Sequence, residues 1–378
     1  MIRKFGLRDF KGHRDTDLEL GRFTLLVGDN ASGKTSVLDA LALHASAASD
    51  PIAAVVQNTP LEDLVRRGSG ERVTLMASGV HARAGATADG APSPVEPWNT
   101  QLELRTPADA ARQPDHRLLE LTGRLGNATL HARVGRDLNG QPAVEQKTPA
   151  LAALGTAGLY RLQAQAIAAA AYSDVPDVRI EADGTNTAVA LAAMKLADDV
   201  AFQRIEDGLR KVVPSVERVR IRRAIVKHRA RQADVVGSKL YFDFRGAADV
   251  PGHGASHGTL IVLALLTILH GPHRPDLILL DDFDHALHPR AQMELVRMIN
   301  SLLALDELAD LQIVATTHSP YVLDELDASE IYAFALRDDG TVASKRLSEH
   351  PDAEKTRGSL KAGQLWSLDP ERDWVLRG

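Results

Sequence analysis

The chain of 378 residues contains no cysteine, so it offers no disulfide framework, no thiolate metal site and no thiol nucleophile. It also lacks a membrane-length apolar run. The longest, Leu260 to Leu269, falls well short of the ~20 residues a spanning helix needs. The opening Met1-Ile2-Arg3-Lys4-Phe5 leads into alternating polar residues rather than an apolar signal region. Together these absences predict a soluble, cytoplasmic protein with no membrane contact. The net charge of −6 argues against a uniformly basic surface while leaving room for a local basic patch. Sustained heptads are missing, so no long coiled coil is encoded. His253, His257, His285, His288 and His318 cluster in sequence, but with no cysteine and no H-E-x-x-H spacing they do not form a zinc motif.

What the chain does carry is Gly28-Asp29-Asn30-Ala31-Ser32-Gly33-Lys34-Thr35, which fits the phosphate-loop pattern G-x-x-x-x-G-K-[ST] at every fixed position. The apolar, β-favouring Phe23 to Val27 precedes it, and the Leu-, Ala- and Val-rich Ser36 to Ala45 follows. The order is strand, loop, helix. Gly28 and Gly33 permit positive φ and close backbone approach, so the N–H groups of Asn30, Ala31, Ser32, Gly33, Lys34, Thr35 and Ser36 can surround a phosphate at a helix N-terminus. Lys34 adds a point charge near the β and γ phosphates, and the Thr35 hydroxyl is a ligand for Mg²⁺.

Around this loop, alternation in Ile2 to Phe10 and Asp15 to Leu20 predicts an antiparallel strand pair. Arg72 to Ser78 and Gln101 to Thr106 alternate again and bracket a linker, Gly79 to Asn99, expected to be exposed and mobile. Ala128 to Val134 reads as a strand, Ala150 to Tyr172 as helical, and Thr187 to Val213 as a helix pair broken near Asp198. Val216 to Arg231 places Arg218, Arg220 and Arg222 on one face of a strand, either a solvated basic face or a surface for DNA or a partner. From Lys239 onward the pattern is α/β: strands at 239–245, 277–280 and 311–316, helices at 258–270 and 289–303, and a closing hairpin over 330–347. Trp366 and Trp374 are the expected packing anchors of the polar tail. The implied division is an N-terminal part of the head (1–80), an inserted lid or arm (81–238), a C-terminal part of the head (239–336), and a hairpin with tail (337–378).

The second half selects among phosphate-loop chemistries. Leu277 to Leu280 is an apolar strand ending in Asp281 and Asp282, where a strand tip meets Mg²⁺ and the γ-phosphate: Asp281 to hold the metal through water, Asp282 to orient or deprotonate the attacking water. His318, in Ala315-Thr316-Thr317-His318-Ser319-Pro320, projects from another buried strand end and can hydrogen-bond the γ-phosphate. Ser256 opens an apolar helix, as a simple cap or as a phosphate contact.

These segments in this order resemble the ABC-type ATPase heads of the SMC and RecF class, and most of all the compact prokaryotic AAA-family ATPases related to the ATPase half of OLD-family proteins. The resemblance covers most of the chain, including Leu7-Arg8-Asp9-Phe10-Lys11, Val65-Arg66-Arg67-Gly68-Ser69, Asp183-Gly184-Thr185-Asn186 and Gly363-Gln364-Leu365-Trp366. It implies a P-loop NTPase with a mixed α/β sheet, antiparallel lead-in strands and an inserted α+β lid. It further implies a Mg-ATP-hydrolysing switch in genome maintenance or anti-phage defence, with catalytic residues Lys34, Asp282 and His318 and metal ligands Thr35 and Asp281. Ser256 and Gly258 then belong to a signature that contacts the ATP of a second copy in a homodimeric sandwich, and Asp284 to Pro289 to the dimer-contacting segment. Two departures stand out. Asp282 occupies a position usually held by Glu, and His257 and Thr259 replace the Gly and Gln of transporter signatures, which argues against a transport subunit. The glutamine loop has no clear position, Gln57 being one candidate or else a plain loop residue, and Lys11 and Arg14 are candidates to approach the nucleotide from the lead-in. After Leu336 no nuclease carboxylate cluster occurs, so the resemblance leaves two readings: a hydrolysing switch, or a slow nucleotide-gated scaffold for a separately encoded effector.

Overall fold

The computed structural model describes residues 1–49, 64–66, 72–82, 95–105, 118–136, 142–145, 155–175, 178–228 and 233–377. β1 (Ile2–Phe10) and β2 (His13–Glu19) pair antiparallel, and β3 (Phe23–Gly28) runs into the phosphate loop and α1 (Lys34–Ser49). β4 (Arg72–Ala82), β5 (Val95–Arg105), β6 (Leu118–Leu125), β7 (Ala128–Arg136) and β8 (Pro142–Glu145) then extend the lead-in pair into a seven-stranded antiparallel sheet of order β2-β1-β4-β5-β6-β7-β8. The lead-in is thus one edge of a larger sheet, and position 80/81 falls inside β4. Part of the expected 79–99 linker is strand at both its ends, because β4 and β5 pair from Arg72–Arg105 through to Ala82–Val95. Positions 83–94 lie outside the described residues.

The second sheet holds the motifs. β9 (Ala157–Tyr160) leads through the short helix α2 (Ala164–Ala168) to α3 (Thr187–Ala197) and α4 (Asp199–Val212). Asp198 separates this pair and caps α4 by accepting from the Ala201 N–H. β10 (Val216–Lys227), β11 (Asp234–Phe244) and β12 (Ala247–Pro251) form a separate three-stranded antiparallel sheet, and position 238/239 falls inside β11. There follow α5 (His257–His270), β13 (Leu277–Leu280), α6 (Pro289–Leu303), β14 (Gln312–Thr316), α7 (Pro320–Leu323), β15 (Ile331–Leu336), β16 (Val342–Arg346), α8 (Ala362–Trp366) and α9 (Glu371–Val375). The six-stranded sheet has the order β16-β15-β3-β14-β13-β9, parallel except for β16.

Alternation across this sheet builds a core on each face. Leu25, Ile278, Leu280 and Ile313 join one cluster; Leu26, Leu277, Leu279 and Val314 join the other. Each such side chain, fully withdrawn from water, stabilises the fold by about 1.5–3 kcal/mol. α5 is buried from Gly258 to Leu269, as its all-round apolar sequence requires.

One expectation fails here. Ala150 to Tyr172 is not a single helix: 157–160 is strand, only 164–168 is helical, and 150–154 lies outside the described residues. The alanines favour helix locally, but pairing of Ala157 to Tyr160 with Leu277 to Leu280 places this segment at the edge of the parallel sheet. No described helix is long and apolar enough to cross a membrane.

Candidate functional site

The loop leaving β3 is shaped by its glycines. Gly28 has φ +139°, and a Cβ there would stand 2.2 Å from the Phe334 carbonyl oxygen; Gly33 has φ +100°. Ala31 adopts φ 64° without being glycine, a conformation that costs about 1–2 kcal/mol. Asp29, Asn30, Ala31 and Thr35 are exposed, while Ser32 and Lys34 are buried and Gly33 and Ser36 half-buried. Lys34 Nζ donates to the carbonyls of Gly28 and Asp29, both at 2.8 Å. Burial lowers the lysine pKa, against the opposing pull of Asp282, Glu371, Asp281 and Asp29.

His13, on β2, supports the loop from below. Its Nε2 lies 3.0 Å from the Gly33 carbonyl and its Nδ1 3.0 Å from Thr16 Oγ1. A carbonyl only accepts, so Nε2 carries the proton. Burial lowers the His13 pKa to about 4 and keeps the ring neutral. No local motif marks this role.

Parallel pairing aligns Leu280 with Ala315, so the next residues of the two strands, Asp281 and Thr316, leave the sheet side by side. Asp281 Oδ1 accepts from Thr35 Oγ1 at 3.0 Å and from Thr316 Oγ1 at 2.8 Å. The Thr316 hydroxyl in turn accepts the Asp282 N–H at 2.7 Å. Asp282 is exposed with φ 47°, and His318 Nε2 lies 3.8 Å from its Oδ1. Thr35, Lys34, Asp281, Asp282 and His318 therefore share one edge of the sheet. Glycine cradle, lysine, hydroxyl and carboxylate fit a nucleotide phosphate with Mg²⁺, a cation that takes few protein oxygens and keeps water and phosphate ligands. No cluster of three or more His, Cys, Asp or Glu poised for a metal occurs among the described residues.

The other oxygen of Asp281 is held by a residue no motif pointed to. Arg161, just beyond β9, donates from Nε to Asp281 Oδ2 at 3.1 Å and from Nη2 to Asp39 Oδ1 at 2.6 Å. Lys11 reaches the same Asp39 at 2.5 Å, so it joins the site through α1. The Asp183-Gly184-Thr185-Asn186 turn braces this segment: the N–H groups of Arg161 and Gln163 donate to the carbonyls of Ala182 and Asp183. Gln57 lies outside the described residues; the strand end beside the carboxylate strand carries Arg161 and Gln163 instead. Arg66 pairs with Asp9 at 2.9 Å, while Arg67, Gly68 and Ser69 lie outside the described residues. Arg14 is exposed, beside Asp339.

Ser256 and Gly258 lie at the start of α5. Ser256 is exposed and caps α5, accepting the Thr259 N–H at 3.1 Å. Gly258 is buried in the same chain, where a Cβ would lie 2.7 Å from Leu287 and 2.9 Å from the Ala286 carbonyl oxygen. Of the two, Ser256 is the one open to a partner. Behind the acidic pair, Asp284 accepts from Thr317 Oγ1 at 2.8 Å, and burial raises its pKa to about 6. Gly363 packs under Pro320 and donates to Asp324, which ties the terminal motif to the segment after His318. On β10, Arg220 is ion-paired with Asp243 at 2.6 Å and Arg222 with Asp249. Two of the three striped arginines are thus engaged by neighbouring strands, which favours the solvated-face reading.

The family described as "AAA domain, putative AbiEii toxin, Type IV TA system" matches residues 96–324, and that described as "AAA ATPase domain" matches residues 1–74. An SMC head bound to the C-winged helix domain of ScpA superposes with a TM-score of 0.51 at 16% identity, covering 94% of this chain and 99% of that one. The SMC head domain from Thermotoga maritima gives 0.47 at 13% identity, with coverages of 91% and 98%. An Smc head with an extended coiled coil, bound to the C-terminal domain of ScpA derived from Pyrococcus furiosus, gives 0.48 at 13%, with coverages of 94% and 98%. The first likeness identifies the fold as that of a P-loop NTPase head of the SMC type, with a mixed α/β sheet; the other two add nothing to it.

Proposed function

The chain belongs to the family described as "AAA domain, putative AbiEii toxin, Type IV TA system", and on that premise we propose that it is a Mg-dependent ATPase that works as a dimeric switch. The observation that carries the reading is the sharing of Asp281 Oδ1 by the hydroxyls of Thr35 and Thr316. It joins the phosphate loop, the carboxylate strand and the histidine strand at one point.

In this reading the loop N–H groups from Asn30 to Ser36 and Lys34 bind the phosphates. Thr35, and Asp281 through water, would hold Mg²⁺, which would neutralise phosphate charge when bound. Asp282 takes the proton of the attacking water, and His318 hydrogen-bonds the γ-phosphate. Phosphoryl transfer to water rests on positioning and charge neutralisation, and these are the groups that supply both. Ser256 of one copy contacts the γ-phosphate on the other, giving two composite sites per dimer. The four-part division of the chain follows the same logic: the two head parts close, and the inserted part carries the change outward. The family's association with type IV TA systems supports a separately encoded partner of the toxin–antitoxin kind. DNA is a weaker proposal, because Arg220 and Arg222 already have acidic partners.

A second reading is favoured by Asp282 itself, one methylene shorter than Glu: a scaffold that holds ATP with very slow turnover and keeps the effector inactive. Single-turnover kinetics separate the two. Product release within seconds supports the switch, and intact ATP retained for many minutes supports the scaffold. For the dimer, Ser256→Arg is expected to abolish ATP-dependent association seen by light scattering; unchanged association would remove the trans contact.

A further inference from the structure

Beside the end of β9, a cavity of about 360 Å³ opens between β9, α3 and the last turn of α5. This volume lies in the ~300–1,000 Å³ range of small-ligand pockets. Its body is apolar, formed by Ile180, Ala193, Met194 and Ile268. Its charged lining is of one sign, Arg179 and Arg274, with no Asp or Glu among the lining residues. That is unusual in a chain of net charge −6. The larger groove between the antiparallel sheet and the closing hairpin, about 820 Å³, mixes both signs instead: Lys4 and Arg346 against Asp17, Glu19 and Glu349.

Arg274 follows the end of α5. Its Nη1 is buried without a hydrogen-bond partner among the described residues, and an unpaired buried donor is costly. Burial lowers its pKa, while Asp276 and Asp310 oppose the shift without closing that hydrogen bond. The C-terminus of α5 accounts for a nearby cation by its dipole. It does not account for Arg179, which comes from a different segment.

We propose that this cavity binds a small carboxylate with an apolar body. The body fills the space against α3 and α5, and the carboxylate accepts from the Arg274 guanidinium, with Arg179 as a second cation; guanidinium and carboxylate match as a fork. The occupant would sit against Tyr160, whose carbonyl accepts the Asp281 N–H at 3.0 Å and whose neighbour Arg161 holds the Asp281 carboxylate.

Isothermal titration calorimetry of the full chain with octanoate and, as an uncharged probe of the same length, 1-octanol tests this without reference to ATP. Octanoate is expected to bind at least about tenfold more tightly than 1-octanol. Arg274→Gln is expected to weaken octanoate at least about tenfold, and Ala193→Trp, which fills the cavity, to abolish it. Should Ala193→Trp fail to melt cooperatively, the milder Ala193→Met is expected to weaken binding in the same direction. Failure of octanoate to bind the wild type, equal binding of 1-octanol, or unchanged octanoate binding in the cavity-filling or Arg274 variants would overturn the proposal.

Discussion

Thr316 donates its hydroxyl proton to Asp281 across 2.8 Å and accepts the Asp282 N–H at 2.7 Å. One buried hydroxyl thus sets the direction of one acidic side chain and the backbone of the next. Thr316→Val keeps the shape but removes both bonds, leaving an unsatisfied N–H. Stability is expected to fall by about 1–2 kcal/mol, visible as a lower melting temperature, and ATP turnover by at least about tenfold. Wild-type turnover in this variant would remove Thr316 from the site.

At Gly28 the constraint is backbone. A methyl group there would stand 2.2 Å from the Phe334 carbonyl oxygen, at a φ of +139°. Gly28→Ala is expected to deform the loop and reduce ATP affinity by two orders of magnitude or more, measured with a fluorescent ATP analogue. Retained affinity would show that the loop does not need this conformation.

Acid stability has two sources in the N-terminal half. Burial holds His13 and His44 at pKa values of about 4, below the ordinary 6.5. Because the folded values are depressed, the contribution of each is complete above pH 6.5 and is lost as pH falls toward 4, on the order of 3 kcal/mol each. Urea midpoints should therefore drop steeply between pH 6.5 and 4, and His44→Gln should flatten that slope. An unchanged slope would contradict neutral burial.

Asp284 acts with the opposite sign. Its pKa is raised to about 6 by burial, so its stabilising protonated form is present below the ordinary carboxylate range and is lost as pH rises through 6. Asp284→Asn, which can still accept from Thr317, is expected to be more stable than wild type at pH 8 by up to about 3 kcal/mol, with the gap closing near pH 4. A variant less stable at pH 8 would show that the charge is compensated.

Much of this arrangement was readable from residue order. The phosphate loop, the carboxylate strand and α6 fall where periodicity and glycine spacing put them, because each is defined by its own sequence. β9 was not, since four residues in an alanine-rich stretch become strand only through pairing with β13. β6, β8 and β12 escaped for a related reason: they are defined by neighbours in antiparallel sheets more than by their own pattern. The same holds for His13, Arg161 and Thr316. Each acts through a contact across the fold, to Gly33 or to Asp281, and carries no local motif. Arg161 follows β9, so misreading that strand also hid the residue at its tip.

The most direct test of the account is the ATP hydrolysis rate of Lys34→Ala in saturating Mg²⁺. Lys34 lies inside the glycine loop and feels both Asp281 and Asp282, so its removal is expected to lower the rate at least about a hundredfold. Hydrolysis at the wild-type rate would contradict the assignment of this sheet edge as the nucleotide site.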